Sequence, residues 1–194
     1  MLRTKTTIVA LLGLWLLAGV SGVRAGEKVD NKITAYLRAG ATESQAVVEI
    51  WMENANPVRG VSLPFKFATG DIALAFDSLK TAGGRAAAFA FTPPLYKAEN
   101  QTLLLNLLQG LTKEKQAPPI PVGNGPLVWI YLSTKGKFPA ADFKMASVRI
   151  EPQNVLLYVT DTYNSVTPVF EFTRNDPPAP AKAEAKDEAK GATP

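Results

Sequence analysis

Alternation of apolar and polar residues runs through the central part of the chain and constrains its fold more than any other feature. In the first such segment, Ile33, Ala35 and Leu37 are separated by Thr34 and Tyr36. The same period of two recurs at 47–53, 61–67, 72–76, 89–91, 127–133, 143–150, 156–160 and 170–172. Successive side chains of a β-strand point to opposite faces, so this pattern predicts strands with one face in a core.

Turn-forming residues separate these segments, and their spacing predicts how the strands are connected. Clusters rich in Gly, Pro, Asn and Asp lie at 54–57, 69–71, 83–84, 93–94, 118–125 and 135–137. Strands punctuated in this way are typical of an all-β, antiparallel sandwich. We interpret the apolar segment 103–111 as a buried strand, because Asn106 and Gln109 interrupt any helical stripe. Pro64 cannot donate a ladder hydrogen bond and predicts an edge or a bulge in its strand.

The composition excludes several kinds of chemistry. The chain has no Cys and no His, so it has no disulfide, thiol nucleophile, imidazole base or Ser-His-Asp triad. Glu49 and Glu53 share a strand face, but four residues along a strand separate them by about 13 Å. A glycosidase needs two carboxyl groups about 5–9.5 Å apart. We therefore expect no catalytic residues, no enzyme activity and no cofactor.

Acidic side chains near the turns raise the question of calcium. Asp71, Asp77, Asp142, Asp161 and Asn164 could supply the oxygen ligands that Ca²⁺ requires. Asp and Asn also favour turns because their side chains hydrogen-bond the local backbone. We interpret them as turn residues and predict no metal site.

Residues 1–25 have the features of a signal peptide that is removed on export. Arg3 and Lys5 precede an apolar run from Ile8 to Val20, and small residues follow near Ala25. This predicts a secreted protein, periplasmic or extracellular, with no membrane span after signal removal; a retained anchor is the alternative. Outside residues 1–25 the chain keeps 18 basic and 17 acidic residues. The basic pI therefore belongs mostly to the export signal, and we expect no nucleic acid partner.

Residues 174–194 have the composition of a disordered tail rich in Pro, Ala and Lys. From residue 177 onward no aliphatic side chain is larger than Ala. Such a segment cannot bury enough surface to offset its ordering entropy. The predicted organisation is therefore a signal peptide at 1–25, a sandwich domain at 26–173 and a tail at 174–194.

The order of strands and turns resembles that of bacterial cohesin-like domains. The similarity lies in the strand 47–54, the Pro57-Val58-Arg59-Gly60 turn with the strand after it, the Gly-rich entry to the strand 123–132, and the closing segment 166–170. The resemblance implies a nine-strand jelly-roll sandwich, related in fold to cellulose-binding modules. It also implies a protein partner, since cohesins bind Ca²⁺-loaded dockerins. This chain has no dockerin loop of its own, so a dockerin-type partner would be another chain.

Strand parity points to a candidate partner-binding surface. If Val48 and Val128 face the core, Trp51, Trp129 and Tyr131 face outward, and Tyr36 does so on the first strand. In cohesin-like domains the corresponding three strands are neighbours, so the resemblance implies that the four rings share one sheet face. Exposed aromatic clusters mark interaction surfaces.

Three interpretations of these rings stay open at this stage. The rings can bind a protein partner, stack on the sugar rings of a polysaccharide, or simply cover the sheet beneath a loop or a terminal segment. Our leading hypothesis is a secreted, non-catalytic, cohesin-like binding or adhesion module that holds a protein partner. The alternative is a carbohydrate-binding protein that uses the same aromatic face.

Overall fold

The structure is a computed structural model that describes residues 31–110 and 116–178. The predicted signal peptide lies outside the described residues, as does the predicted tail beyond residue 178. Twelve strands are present in the described part of the chain. They are β1 (Lys32–Ala39), β2 (Gln45–Asn54), β3 (Val58–Ala68), β4 (Ala75–Lys80), β5 (Ala90–Phe91), β6 (Leu95–Lys97), β7 (Thr102–Leu108), β8 (Gly123–Ser133), β9 (Lys144–Ser147), β10 (Leu157–Thr160), β11 (Ser165–Val166) and β12 (Val169–Thr173).

The strands form two sheets. A five-stranded sheet has the order β12-β1-β2-β8-β4, and a seven-stranded sheet has the order β11-β10-β3-β7-β5, with β6 added to β7 and β9 to β3. The prediction of an all-β sandwich is confirmed. Two details differ from it: several strands of two to four residues raise the number above nine, and β1 pairs with β12 in parallel. β12 lies along the edge of β1 that is not paired with β2, and it runs in the same direction as β1.

The core lies between the sheets and is built from the alternate residues that the pattern marked. Ile33, Val48, Ile50 and Ile130 are fully buried on the five-stranded sheet, and Leu63 is fully buried on the opposite one. Each such side chain contributes about 1.5–3 kcal/mol of burial free energy. The segment predicted as a buried strand at 103–111 forms β7, which ends at Leu108.

The strand predicted at 72–76 is wrong in position. β4 begins at Ala75, and Ile72 is 41% exposed. The cause is a turn at 69–72, in which the Ile72 N–H donates to the Thr69 carbonyl and the Thr69 hydroxyl donates to the Ile72 carbonyl. Because these groups bond each other, they are not available to a sheet partner.

Pro64 lies in a central strand, not at an edge. β3 has β7 on one side and, on the other side, β10 against residues 58–62 and β9 against residues 65–68. Pro64 falls between those two partners, where no ladder bond requires its missing N–H. The Pro64 carbonyl accepts a hydrogen bond from the Val148 N–H at 3.1 Å.

One end of the sandwich is closed by the guanidinium of Arg85, in the loop between β4 and β5. It donates hydrogen bonds to the carbonyls of Met52 at 2.8 Å, Gly123 at 2.9 Å and Pro121. Desolvation by burial lowers the pKa of Arg85. Gly125 is required beside it, because a Cβ there would lie 3.3 Å from the Arg85 side chain on a backbone with φ of 157°. Arg85 therefore links the end of β2 to the start of β8.

Replacing Arg85 with Met should reduce the free energy of unfolding by about 2–4 kcal/mol, because the three carbonyls lose their donors. Urea denaturation measures the change. Arg149→Met is the matched control, since Arg149 is exposed and its one ion pair within the described residues is with the exposed Glu151; it should change stability by less than about 0.5 kcal/mol. Equal stability of the two variants would contradict the assignment.

Tyr158 connects the two sheets through its hydroxyl. It is fully buried on β10, and its O–H donates to the carbonyl of Lys32 on β1 at 2.8 Å. Burial raises the pKa of Tyr158 well above its usual value, while the nearby charge of Arg85 acts in the opposite direction. The phenol therefore stays neutral in the folded state at a pH where an exposed tyrosine ionises.

Stability should fall as the pH rises above about 10, because the unfolded chain then releases the Tyr158 proton that the folded state retains. This group alone contributes a fall of up to about 1.4 kcal/mol per pH unit. Denaturation from pH 9 to 11 should show a smaller decline for Tyr158→Phe than for the parent chain. Tyr163→Phe, at an exposed position, should follow the parent. A Tyr158→Phe profile parallel to that of the parent would refute the prediction.

Candidate binding surface

The four aromatic residues singled out in the sequence lie on the outer face of the five-stranded sheet. Their strands, β1, β2 and β8, are adjacent. One cross-strand row contains Tyr36, Glu49, Trp129 and Lys80 in that order. Trp51 lies one row to one side of it, and Tyr131 lies one row to the other side. We call Tyr36, Trp51, Trp129 and Tyr131 the aromatic surface.

Strand register explains this arrangement. β2 is antiparallel to both neighbours, so the residues opposite Glu49 on β1 and β8 project from the same face as Glu49. The register of β2 against β8 shifts between Ile50 and Trp51, which places Trp51 opposite Pro126.

Trp51 is the member of the surface whose accessibility differs most from the expectation. Its parity is outward, but the residue is only 5% exposed. Tyr36 packs against it edge to face, with ring centroids 5.9 Å apart and an interplanar angle of 69°. The indole N–H donates to the Glu49 carboxylate at 2.9 Å. Outward parity therefore did not ensure exposure, because neighbouring side chains cover the ring.

Trp129 and Tyr131 form the second half of the surface, and both are half-buried. The Lys80 ammonium lies 5.8 Å from the centroid of the Trp129 ring, within the range of a cation–π interaction. The turn at Gly83 also approaches the edge of that ring. These rings remain partly accessible from the solvent side of β8.

A groove of about 140 Å³ opens beside Tyr36 and Trp51. Its lining is Lys32, Thr34, Tyr36, Trp51, Met52, Glu53, Asn124 and Pro178. The side chain of Lys32 pairs with Glu171 at 2.6 Å, and this hydrogen bond raises the pKa of Lys32. Burial raises the pKa of Tyr36. The groove therefore presents a neutral phenol and an already paired ammonium.

The charges on this face are linked in a chain. Glu49 accepts the hydrogen bond from Trp51 and lies 3.8 Å from the Arg38 guanidinium. Arg38 also pairs with Asp176, which follows β12. Arg38 and Glu49 could have been found from strand parity, because they share the face of Tyr36. Asp176 and Pro178 could not, because the pattern of residues 174–178 does not indicate where the chain turns after β12.

The described residues bring together no group of three or more His, Cys, Asp or Glu side chains that could hold a metal ion. Two of the side chains considered for calcium already make hydrogen bonds: the Asp77 carboxylate accepts from the Ser133 hydroxyl at 2.7 Å, and the Asn164 amide donates to the Thr162 hydroxyl at 3.1 Å. No helix in the described part of the chain is long and apolar enough to cross a membrane. The aromatic surface can therefore bury its rings against a partner and form ion pairs with it.

Comparison with known proteins finds matches among solved structures. No family model and no curated protein matches the chain. Among solved structures, a non-cellulosomal cohesin from the archaeon Archaeoglobus fulgidus has 14% identity and a TM-score of 0.47, covering 76% of this chain and 92% of its own. The sixth cohesin of scaffoldin B from Acetivibrio cellulolyticus, solved with a Cel5 dockerin, has 11% identity and a TM-score of 0.49, covering 75% and 99%.

The second type II cohesin module of the cellulosomal adaptor ScaA scaffoldin, also from Acetivibrio cellulolyticus, has 8% identity and a TM-score of 0.49, covering 75% of this chain and 93% of its own. These solved structures are modules of the class that the sequence resembles. The sandwich itself is established by the strand pairing described above. The solved structures named above, to which the chain is similar, are all cohesin modules.

Proposed function

We propose that this chain is an exported, non-catalytic binding module that holds a protein partner on the aromatic surface. One observation carries the proposal: four aromatic side chains from three adjacent strands converge on one sheet face. Two of them, Trp129 and Tyr131, keep part of their rings accessible. Tyr and Trp supply large contact area at low entropy cost and dominate the energetics of protein interfaces.

The polar groups on this face support binding in preference to catalysis. Glu49 is occupied by the Trp51 indole and by Arg38, and Glu171 is occupied by Lys32. A general acid or base needs a carboxyl group that can reach substrate, and an activated nucleophile needs an adjacent base. The chain contains no His or Cys to take either role. This sheet face is therefore better suited to binding a partner than to catalysis.

The inclination of the rings favours a protein partner over a polysaccharide. A sugar-binding platform presents open, flat ring faces to successive pyranose rings. Here Tyr36 and Trp51 are inclined at 69° to each other, and Lys80 lies over Trp129. Tyr, Trp and Arg are the residue types enriched at protein interfaces, and the aromatic surface supplies the first two with Arg38 at its edge.

The sequence resemblance suggests the type of partner and the compartment. A dockerin-bearing protein is the first candidate, because the strand and turn pattern resembles that of cohesin-like domains. Residues 1–25 have the features of an export signal. We therefore place the module in the periplasm or outside the cell.

The test is affinity capture from the native secretome, with the parent chain and the double variant Trp129→Ala/Tyr131→Ala as baits. Loss of two central aromatic contacts should weaken partner binding at least about tenfold. Tyr163→Ala is the matched control, since Tyr163 is 73% exposed in the loop between β10 and β11 of the other sheet. It should capture as much partner as the parent.

Equal capture by all three baits would show that the partner binds elsewhere. A gel-shift panel of polysaccharides completes the design. Retardation by a glycan that is lost in the double variant, with no protein captured, would favour the carbohydrate-binding alternative.

A further inference from the structure

The segment Arg174–Pro178, here called the C-terminal strap, leaves β12 and returns over the aromatic surface. Its start is held by Arg174, whose guanidinium donates to the carbonyls of Ala140 at 3.0 Å, Ala141 at 2.9 Å and Phe143 at 2.7 Å. The same guanidinium lies 5.4 Å from the centroid of the Phe172 ring. Four contacts from one side chain fix the point from which the strap departs.

Two further residues hold the strap on the sheet. Asp176 pairs with Arg38, and Arg38 in turn lies beside Glu49, which accepts the hydrogen bond from Trp51. Pro178 lines the groove that Tyr36 and Trp51 form. The strap thus combines an acidic residue paired with Arg38 and a proline at the edge of the aromatic groove.

We propose that the groove beside Tyr36 and Trp51 is a proline-recognition site, and that the chain's own Asp176-Pro177-Pro178 sequence lies along its edge in the free protein. The proposal deepens the function proposed above and rests on it, because the strap covers part of the surface assigned to the partner. A partner that reaches Trp51 must displace the strap. The aromatic surface then has an accessible half at Trp129 and Tyr131 and a half that is covered until the partner binds.

The strap and the groove are chemically complementary. Proline fixes its own φ, so a Pro-Pro sequence is already extended and loses little entropy on docking. Aromatic-lined grooves recognise such extended segments. The carboxylate of Asp176 adds a charge contact at one end, since Arg38 lies at the edge of the same face. A competing partner segment would share these features: extended, proline-containing and acidic.

The accessibility of the Trp51 indole tests the proposal without any partner. The chain contains three tryptophans, so a Trp15→Phe/Trp129→Phe variant leaves Trp51 as its only indole. Acrylamide should quench its fluorescence weakly. Adding Asp176→Ala and Pro178→Ala should raise the quenching constant at least twofold, because the indole loses its cover. Asn175→Ala is the matched control, since its side chain makes no hydrogen bond to any described residue, and it should leave quenching unchanged.

Addition of a blocked Asn-Asp-Pro-Pro peptide at millimolar concentration should lower the quenching of the Ala variant again. The peptide Asn-Ala-Ala-Ala should not. Unchanged quenching in the Ala variant, with circular dichroism showing an intact fold, would show that the strap does not cover Trp51. Failure of the first peptide, or equal effects of both, would overturn proline recognition. Quenching that decreases with protein concentration would mean that a second copy is the occupant and would overturn the intramolecular contact.

Failure here and failure of the proposed function give different results. If the strap is absent but the function is right, Trp51 is quenched freely while the Trp129→Ala/Tyr131→Ala bait still loses its partner. If the strap is present but the function is wrong, Trp51 is protected while that bait captures as much as the parent. If both are right, the Asp176→Ala/Pro178→Ala bait should also capture more partner than the parent.

Discussion

The pairing of β2 with β1 on one side and β8 on the other is the constraint on which the rest of the structure depends. It sets the parity of three strands at once. Val48 and Ile50 then enter the core, and Glu49 lies at the centre of the outer face. A shift of one residue would exchange the two faces and bury charges in place of aliphatic side chains. The apolar core therefore fixes the register, and the register assembles the aromatic surface.

Most of the sheet structure could be predicted from the sequence, because burial and parity are local properties of a strand. The alternation around Ile33, Val48 and Ile130 identified core residues that are fully buried. The predictions failed where local hydrogen bonds compete with the ladder. Thr69 and Ile72 bond each other, so β4 starts later than the alternation suggests. Pro64 has neighbours on both sides, since two short strands share one edge of β3.

The side of the sheet on which the candidate site lies was predictable from the sequence, but the accessibility of each of its rings was not. Parity placed the four aromatic residues on one side of the sheet, where they are found. It could not indicate that Trp51 is covered, because the cover comes from side chains packed against the ring, with Tyr36 edge to face and Glu49 bonded to the indole N–H. The strap itself begins inside the segment predicted as a tail. The composition of such a segment indicates that it packs weakly on itself. It does not show which residues of the sheet its first residues, 174–178, contact.

The central proposal is that a partner binds the outer face of the five-stranded sheet. Hydroxyl-radical footprinting of the captured complex tests this most directly, because it reports the solvent accessibility of individual aromatic rings. Trp129 and Tyr131 should be oxidised more slowly in the complex than in the free chain, while the oxidation of Tyr163, beside the other sheet, should not change. Protection of Tyr163 together with unchanged oxidation of Trp129 and Tyr131 would contradict it.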